Sequence, residues 1–176
     1  PLQRRAPPYS APRRWSVTPR SWSSSFPVLS RTLAKRLRLP LEGRRERTIE
    51  IAPYRMRGRK VLTVYAVHEI AELPDHLLYH LLLTSEAVER LRPTTWEIPL
   101  HGDTTTPDAY LIFPWGEAFL EVDTGHYSPE AVRTKLRTFR KPLYWATLSP
   151  ERLNWVLRLS QGLHSDLRPL LLAPPE

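Results

Sequence analysis

Four side chains near the middle of this chain are of types that do hydrolytic chemistry together: Asp108, Glu121, Asp123 and Lys135. The three acids lie in PDAYLIFPWGEAFLEVDTG, residues 107–125, which reads as two apolar strands around a Pro-Trp-Gly turn. Asp is depleted in strands, and a buried carboxylate is costly unless something pairs with it. Strand side chains alternate, so Glu121 and Asp123 share one face while Val122 points to the other. A two-residue loop at Trp115-Gly116, or a four-residue loop from Pro114 to Glu117, sets Tyr110 opposite Glu121 and Asp108 opposite Asp123. Opposed residues project from the same side of a sheet, so all three acids converge. A one-residue slip would send Asp108 to the other side.

Clustered carboxylates repel one another and persist when a cation neutralises them. Hard oxygen ligands in this grouping suit Mg²⁺ or Mn²⁺, with Asp108, Glu121 and Asp123 as the metal ligands. Such an ion can polarise a phosphodiester and activate water beside it. Lys135, one turn into the next helix, can reach the same face as the fourth catalytic group. Glu97, on the preceding strand, can add an outer ligand. A single acid here would read as a strand-entry or surface residue; three on one face near a lysine read as a site.

The elements that position this group form an α/β pattern. Pro74 opens a long helix whose buried side carries Leu77, Leu78, Leu81, Leu82, Val88 and Leu91. TWEIPL (95–100) is a strand, and the acid hairpin follows. Ser128-Pro129 starts a helix with Val132, Leu136 and Phe139 inward, residues 142–148 form a strand, and Ser149-Pro150 starts a closing helix. That order predicts a small mixed sheet flanked by helices over residues 71–165. The tail 166–176, with RPLLLAPPE, is apolar and Pro-rich, and its pattern assigns it no element.

Upstream, residues 28–39 carry Leu29, Leu33 and Leu37 at helical spacing with Arg31, Lys35, Arg36 and Arg38 on other faces. Two β-rich runs over 48–67 flank RMRGRK, a cationic turn holding Arg57, Arg59 and Lys60. A basic helix and a hairpin with a cationic tip form the second half of a winged helix, so 28–70 reads as a winged-helix-like segment that touches DNA. A helix and hairpin that merely pack on the next domain would look the same. Arg133 and Arg137, with Arg140 and Lys141, form a second basic face that can follow a DNA backbone or simply be solvated.

Charge divides the chain in the same sense. Residues 1–47 hold 12 Lys+Arg and 2 Asp+Glu, whereas residues 48–176 hold 14 and 16. A basic arm (1–27, rich in Pro, Arg and Ser) beside a near-neutral domain points to a polyanionic partner such as DNA. The arm's Trp15 and Trp22 can dock on something. With no cysteine, disulfide scaffolds, thiolate metal sites and a cysteine nucleophile are excluded. No apolar run reaches membrane-spanning length and no signal peptide is visible, so a cytoplasmic location is expected. His76 and His80 lie four apart, but HLLYH lacks the Glu of the zincin arrangement, so they read as a half-buried polar edge. His126, in the loop after the acid motif, can touch a phosphate or simply be solvated.

On these residues the chain resembles the replication-relaxation proteins of plasmids and mobile elements. The shared pattern is Pro107-Asp108 in one strand, Glu121-Val122-Asp123 and Gly125 in the next, and Lys135-Leu136 in the following helix. The resemblance covers residues 70 to 160, with weaker support from 28 to 67. It implies a winged-helix part, a domain related to the PD-(D/E)xK, or restriction-endonuclease-like, nuclease fold, and work on plasmid or mobile-element DNA. Active members of the wider nuclease group usually carry Lys two residues after the Glu, where this chain has Asp123. Either Lys135 substitutes from the helix, or the domain binds DNA without cutting it. A protein-interaction module with structural acids is the remaining alternative.

Overall fold

The structure is a computed structural model that describes residues 16–17, 26–52, 58–99 and 105–175. Arg57, Trp15 and Trp22 lie outside the described residues, and so does most of the 1–27 arm. The chain order is β1 (Ser16–Val17), β2 (Val28–Ser30), α1 (Arg31–Leu37), β3 (Arg45–Ile51), β4 (Lys60–Ala66), α2 (Asp75–Leu91) and β5 (Thr95–Glu97). Then come β6 (Ala109–Phe113), β7 (Gly116–Asp123), α3 (Pro129–Thr138), β8 (Leu143–Thr147), α4 (Pro150–Ser160) and β9 (Leu167–Leu171). Six strands form one sheet in the order β1-β5-β6-β7-β8-β9, and three form a second in the order β2-β4-β3.

The large sheet is mixed. Its first four strands pair antiparallel, while β7, β8 and β9 run parallel. Parallel neighbours need a crossover, and α3 and α4 supply the two. Ser128 and Ser149 start these helices as the sequence predicts, accepting from Ala131 N–H at 3.2 Å and Arg152 N–H at 3.1 Å. Val132, Leu136, Phe139 and Val156 bury the inner faces of α3 and α4 against Trp145 and Leu143. The other face of the sheet packs on α2. Leu78, Leu81, Leu82, Leu83, Ala87 and Val88 of α2 are all buried, because α2 also packs against the small sheet.

Two expectations change here. Residues 28–39 are not one helix: Val28–Ser30 pair with β4, and Ser30 then caps α1 by accepting from Leu33 N–H at 3.0 Å. A serine that satisfies a helix's first orphan N–H groups is a better start than a β-branched Val28. The tail is also ordered, since β9 extends the sheet beside β8. Pro169 is tolerated because β9 is the edge strand, where a missing N–H costs no ladder bond. The 48–67 hairpin does form, as β3 and β4. One apolar core runs from Phe26 and Val28 through Leu82 and Leu120 to Leu172, so residues 28–70 and the α/β segment after them share it. Among the described residues, no helix is long and apolar enough to cross a membrane.

Candidate active site

The acid hairpin closes on a two-residue loop at Pro114-Trp115, with Phe113 opposite Gly116. Gly116 has φ +139°, a conformation that only glycine adopts readily. The pairing is therefore shifted two residues from the predicted one: Tyr110 faces Phe119, and Ala109 faces Leu120. A shift of two keeps every side chain on its face and changes its partner. Asp108, not opposite Asp123, falls on the rung of Glu121. Its N–H donates to the Leu120 carbonyl at 2.9 Å, and its Oδ2 accepts from Val122 N–H at 2.7 Å.

Glu121 is wholly buried, and Lys135 reaches it from α3 with Nζ 2.7 Å from Oε2. That approach is close but not well directed, and neither Glu121 oxygen has a properly aligned hydrogen bond. Burial, and then the charge of Asp108, push the Glu121 carboxyl well above the usual range against the opposing pull of Lys135. The Lys135 side chain is only 6% exposed, and its ammonium sits 5.2 Å from the Tyr127 ring centre and 5.6 Å from that of Phe139. Burial also disfavours charge on Asp108, but His80 outweighs it. His80 Nε2 lies 2.9 Å from Asp108 Oδ1, and this pairing with the Val122 N–H draws the Asp108 carboxyl below its ordinary value. The converse holds for His80, whose imidazole is raised by Asp108 in spite of burial.

Asp123 has a different set of partners from the other two acids. Its Oδ2 accepts from Arg152 Nε at 2.8 Å and Trp145 Nε1 at 3.3 Å, and its Oδ1 accepts from Gly125 N–H at 2.7 Å. The Arg152 and Asp123 side chains are 8% and 0% exposed. Arg152 also donates to the Tyr127 carbonyl at 2.7 Å and stacks over Trp155 at 4.1 Å. Arg152 already supplies the charge that balances this buried carboxylate, so Asp123 needs no cation to be stable there. Among the described residues, no group of three or more His, Cys, Asp and Glu side chains is arranged to hold a metal ion. Glu97 lies across from Tyr110, two rungs away from Asp108.

His80, Tyr127 and Arg152 are the site residues that sequence reasoning missed. Tyr127 lies close enough to feel all three acids, which add to burial in raising its hydroxyl. The only advance signal was HLLYH, which marked His80 as polar within an apolar helix. Arg152 gave none, because a first-turn arginine on a capped helix looks solvated.

The expected DNA contacts divide. Arg36 pairs with Glu86 and, at 3.2 Å, with Glu89, and so fastens α1 to α2. Arg31 donates to the Tyr65 hydroxyl at 2.7 Å, Arg59 pairs with Glu50 at 2.7 Å, and Lys60 donates to the Pro175 carbonyl at 2.8 Å. Arg133 pairs with Glu130 at 3.0 Å. Lys35, Arg38 and Arg137 are exposed. No family model, curated protein or solved structure matches this chain.

Proposed function

We propose that this protein binds DNA and hydrolyses or nicks a phosphodiester with Mg²⁺ or Mn²⁺ held by Asp108 and Glu121. The observation that carries this reading is Glu121: a wholly buried carboxylate beside Asp108, approached by Lys135 at 2.7 Å but with neither oxygen in a well-directed hydrogen bond among the described residues. Native proteins seldom leave such a group unsatisfied without a use for it. Two carboxylates fit the group, because Mg²⁺ is commonly held by one or two of them, with water and substrate phosphate completing the shell. When bound, the ion supplies polarisation of the phosphodiester and an activated water.

The chain's own residues do the rest. His80 orients the Asp108 carboxylate. Lys135 balances Glu121 and offers a cation to charge developing on phosphate oxygens. The Asp123–Arg152 pair ties the end of β7 to α4 and the Tyr127 backbone, which fixes the wall behind Lys135. Lys35, Arg38 and Arg137 are the cations best placed by exposure to meet DNA phosphates. The replication-relaxation resemblance adds the restriction-endonuclease-like identity of the α/β part and plasmid or mobile-element DNA as the substrate.

A second reading, DNA binding without cleavage, has its own observation: Asp123 stands where active nucleases carry Lys, and Arg152 occupies it. Incubation of supercoiled plasmid with wild type, Asp108→Ala and Glu121→Ala at rising Mg²⁺ or Mn²⁺ separates the two. Nicking by wild type alone supports hydrolysis; shifted plasmid that is never nicked supports the second reading.

A further inference from the structure

A cavity of about 240 Å³ opens beside the acid site, at the C-terminal ends of β7 and β8. The loops after these strands, the end of β3 and one side of α2 enclose it. Crevices outside the carboxyl ends of parallel strands are where open α/β sheets take ligands. Asp108, Glu121 and Lys135 do not line it, so it is distinct from the proposed metal centre.

Its wall holds two acids and several hydrogen-bond donors, so what it can take depends on which of these are already paired. Both acids in the wall are paired, Glu50 with Arg59 at 2.7 Å at the surface and Asp123 with Arg152 at 2.8 Å in the interior. Ser149 Oγ accepts the Arg152 N–H and donates to Glu151 at 2.7 Å, so its donor is used, whereas Thr147 Oγ1 accepts the Ser149 N–H at 3.4 Å and keeps its own O–H. His76 from α2, His126 from the β7–α3 loop and the Tyr79 hydroxyl also remain. Tyr79 is 6% exposed, and its hydroxyl meets no hydrogen-bond partner among the described residues. Burial pushes that hydroxyl up to about 12, so it stays a donor at neutral pH. A hydroxyl that opens onto a cavity and has no protein partner is free to donate to a ligand oxygen.

We infer that this cavity binds a phosphate monoester, the 5′-phosphorylated end of a nucleic-acid strand, with Tyr79, His76 and His126 as the donors. The strand-end identity rests on the nucleic-acid reading above; the phosphate chemistry does not. The cavity has room for a phosphoryl group and part of its sugar but not for a duplex.

The test is calorimetric titration in EDTA, so that failure of the metal centre leaves this result unaffected. The probes are deoxyadenosine 5′-monophosphate, deoxyadenosine, and a short single strand with or without a 5′-phosphate. Expected is saturable binding of both phosphorylated probes, weaker by about tenfold or more without the phosphate. Tyr79→Phe should weaken binding by about three- to tenfold without loss of stability, since the hydroxyl it removes has no protein partner among the described residues. His76→Ala with His126→Ala should remove it. Equal affinity with and without the phosphate, or unchanged binding in the folded double variant, would overturn the proposal. Binding of the mononucleotide but not of the phosphorylated strand would overturn the strand-end assignment.

Discussion

Replacing Arg152 with Met tests whether Asp123 is a structural acid. Arg152 brings two charge-assisted hydrogen bonds, to Asp123 at 2.8 Å and to the Tyr127 carbonyl at 2.7 Å. Met keeps most of the apolar stem and deletes the charge. It leaves Asp123 buried with only Trp145 and the Gly125 N–H as donors. Breaking a buried ion pair from one side costs about 3–5 kcal/mol, a large share of the ~5–15 kcal/mol that holds a typical domain together. With a urea m-value of about 2 kcal/mol/M, the midpoint should fall by roughly 1.5–2.5 M. The assay is urea unfolding followed by tryptophan fluorescence, for which Trp145 and Trp155 lie directly on the pair. Asp123→Asn should lose a comparable amount, and the double variant less than the two losses added, because the residues are in contact. An Asp123→Asn protein as stable as wild type, but with its metal affinity gone, would refute this reasoning and restore Asp123 as a ligand.

Other expectations follow from the same geometry. His80→Phe should cost about 1–3 kcal/mol in mild acid. A histidine raised by its partner gives stability that is full below its unfolded value of 6.5 and fades as pH rises through the folded value, so the cost should shrink as pH is raised above 6.5 in unfolding measurements. Glu121 has the opposite sign from an ordinary acid: its raised carboxyl holds a proton longer in the folded state, so its contribution is lost as pH rises. The stability of Glu121→Gln relative to wild type should therefore improve steadily above pH ~4.5 in metal-free buffer. Lys35→Gln and Arg38→Gln should each weaken duplex binding and reduce the slope of log affinity against log salt by about one. Binding with no salt dependence would instead favour a protein-interaction module. Arg36→Gln should act on stability rather than on DNA affinity, because Glu86 and Glu89 hold that side chain.

The sequence made the acid hairpin legible because alternation is local: Asp108, Glu121 and the apolar Ala118, Leu120 and Val122 show a period of two within a few residues. The register was out of reach, since Pro-Trp-Gly admits several turns and only the φ of Gly116 selects among them. Capped helices were visible at Ser128-Pro129 and Ser149-Pro150 for the same local reason. What stayed hidden was long-range. Arg152 lies 29 residues from Asp123, and His80 meets Asp108 across the layer between α2 and the sheet. Neither has a spacing to read. The β9 strand was hidden by its proline, which signals a breaker unless the strand is known to be an edge. The basic residues of α1 were visible as charge, but the acids of α2 that claim Arg36 were not visible as its partners.

The most direct test of the central claim, that Asp108 and Glu121 form a cation site without Asp123, is Mn²⁺ titration of the wild type, Asp108→Asn and Glu121→Gln, read by electron paramagnetic resonance of the free ion. Expected is one binding site in wild type, lost in both variants while they remain folded. A wild type that binds no Mn²⁺, or variants that bind it as tightly as wild type, would contradict the site and leave Glu121 as a buried acid held only by Lys135.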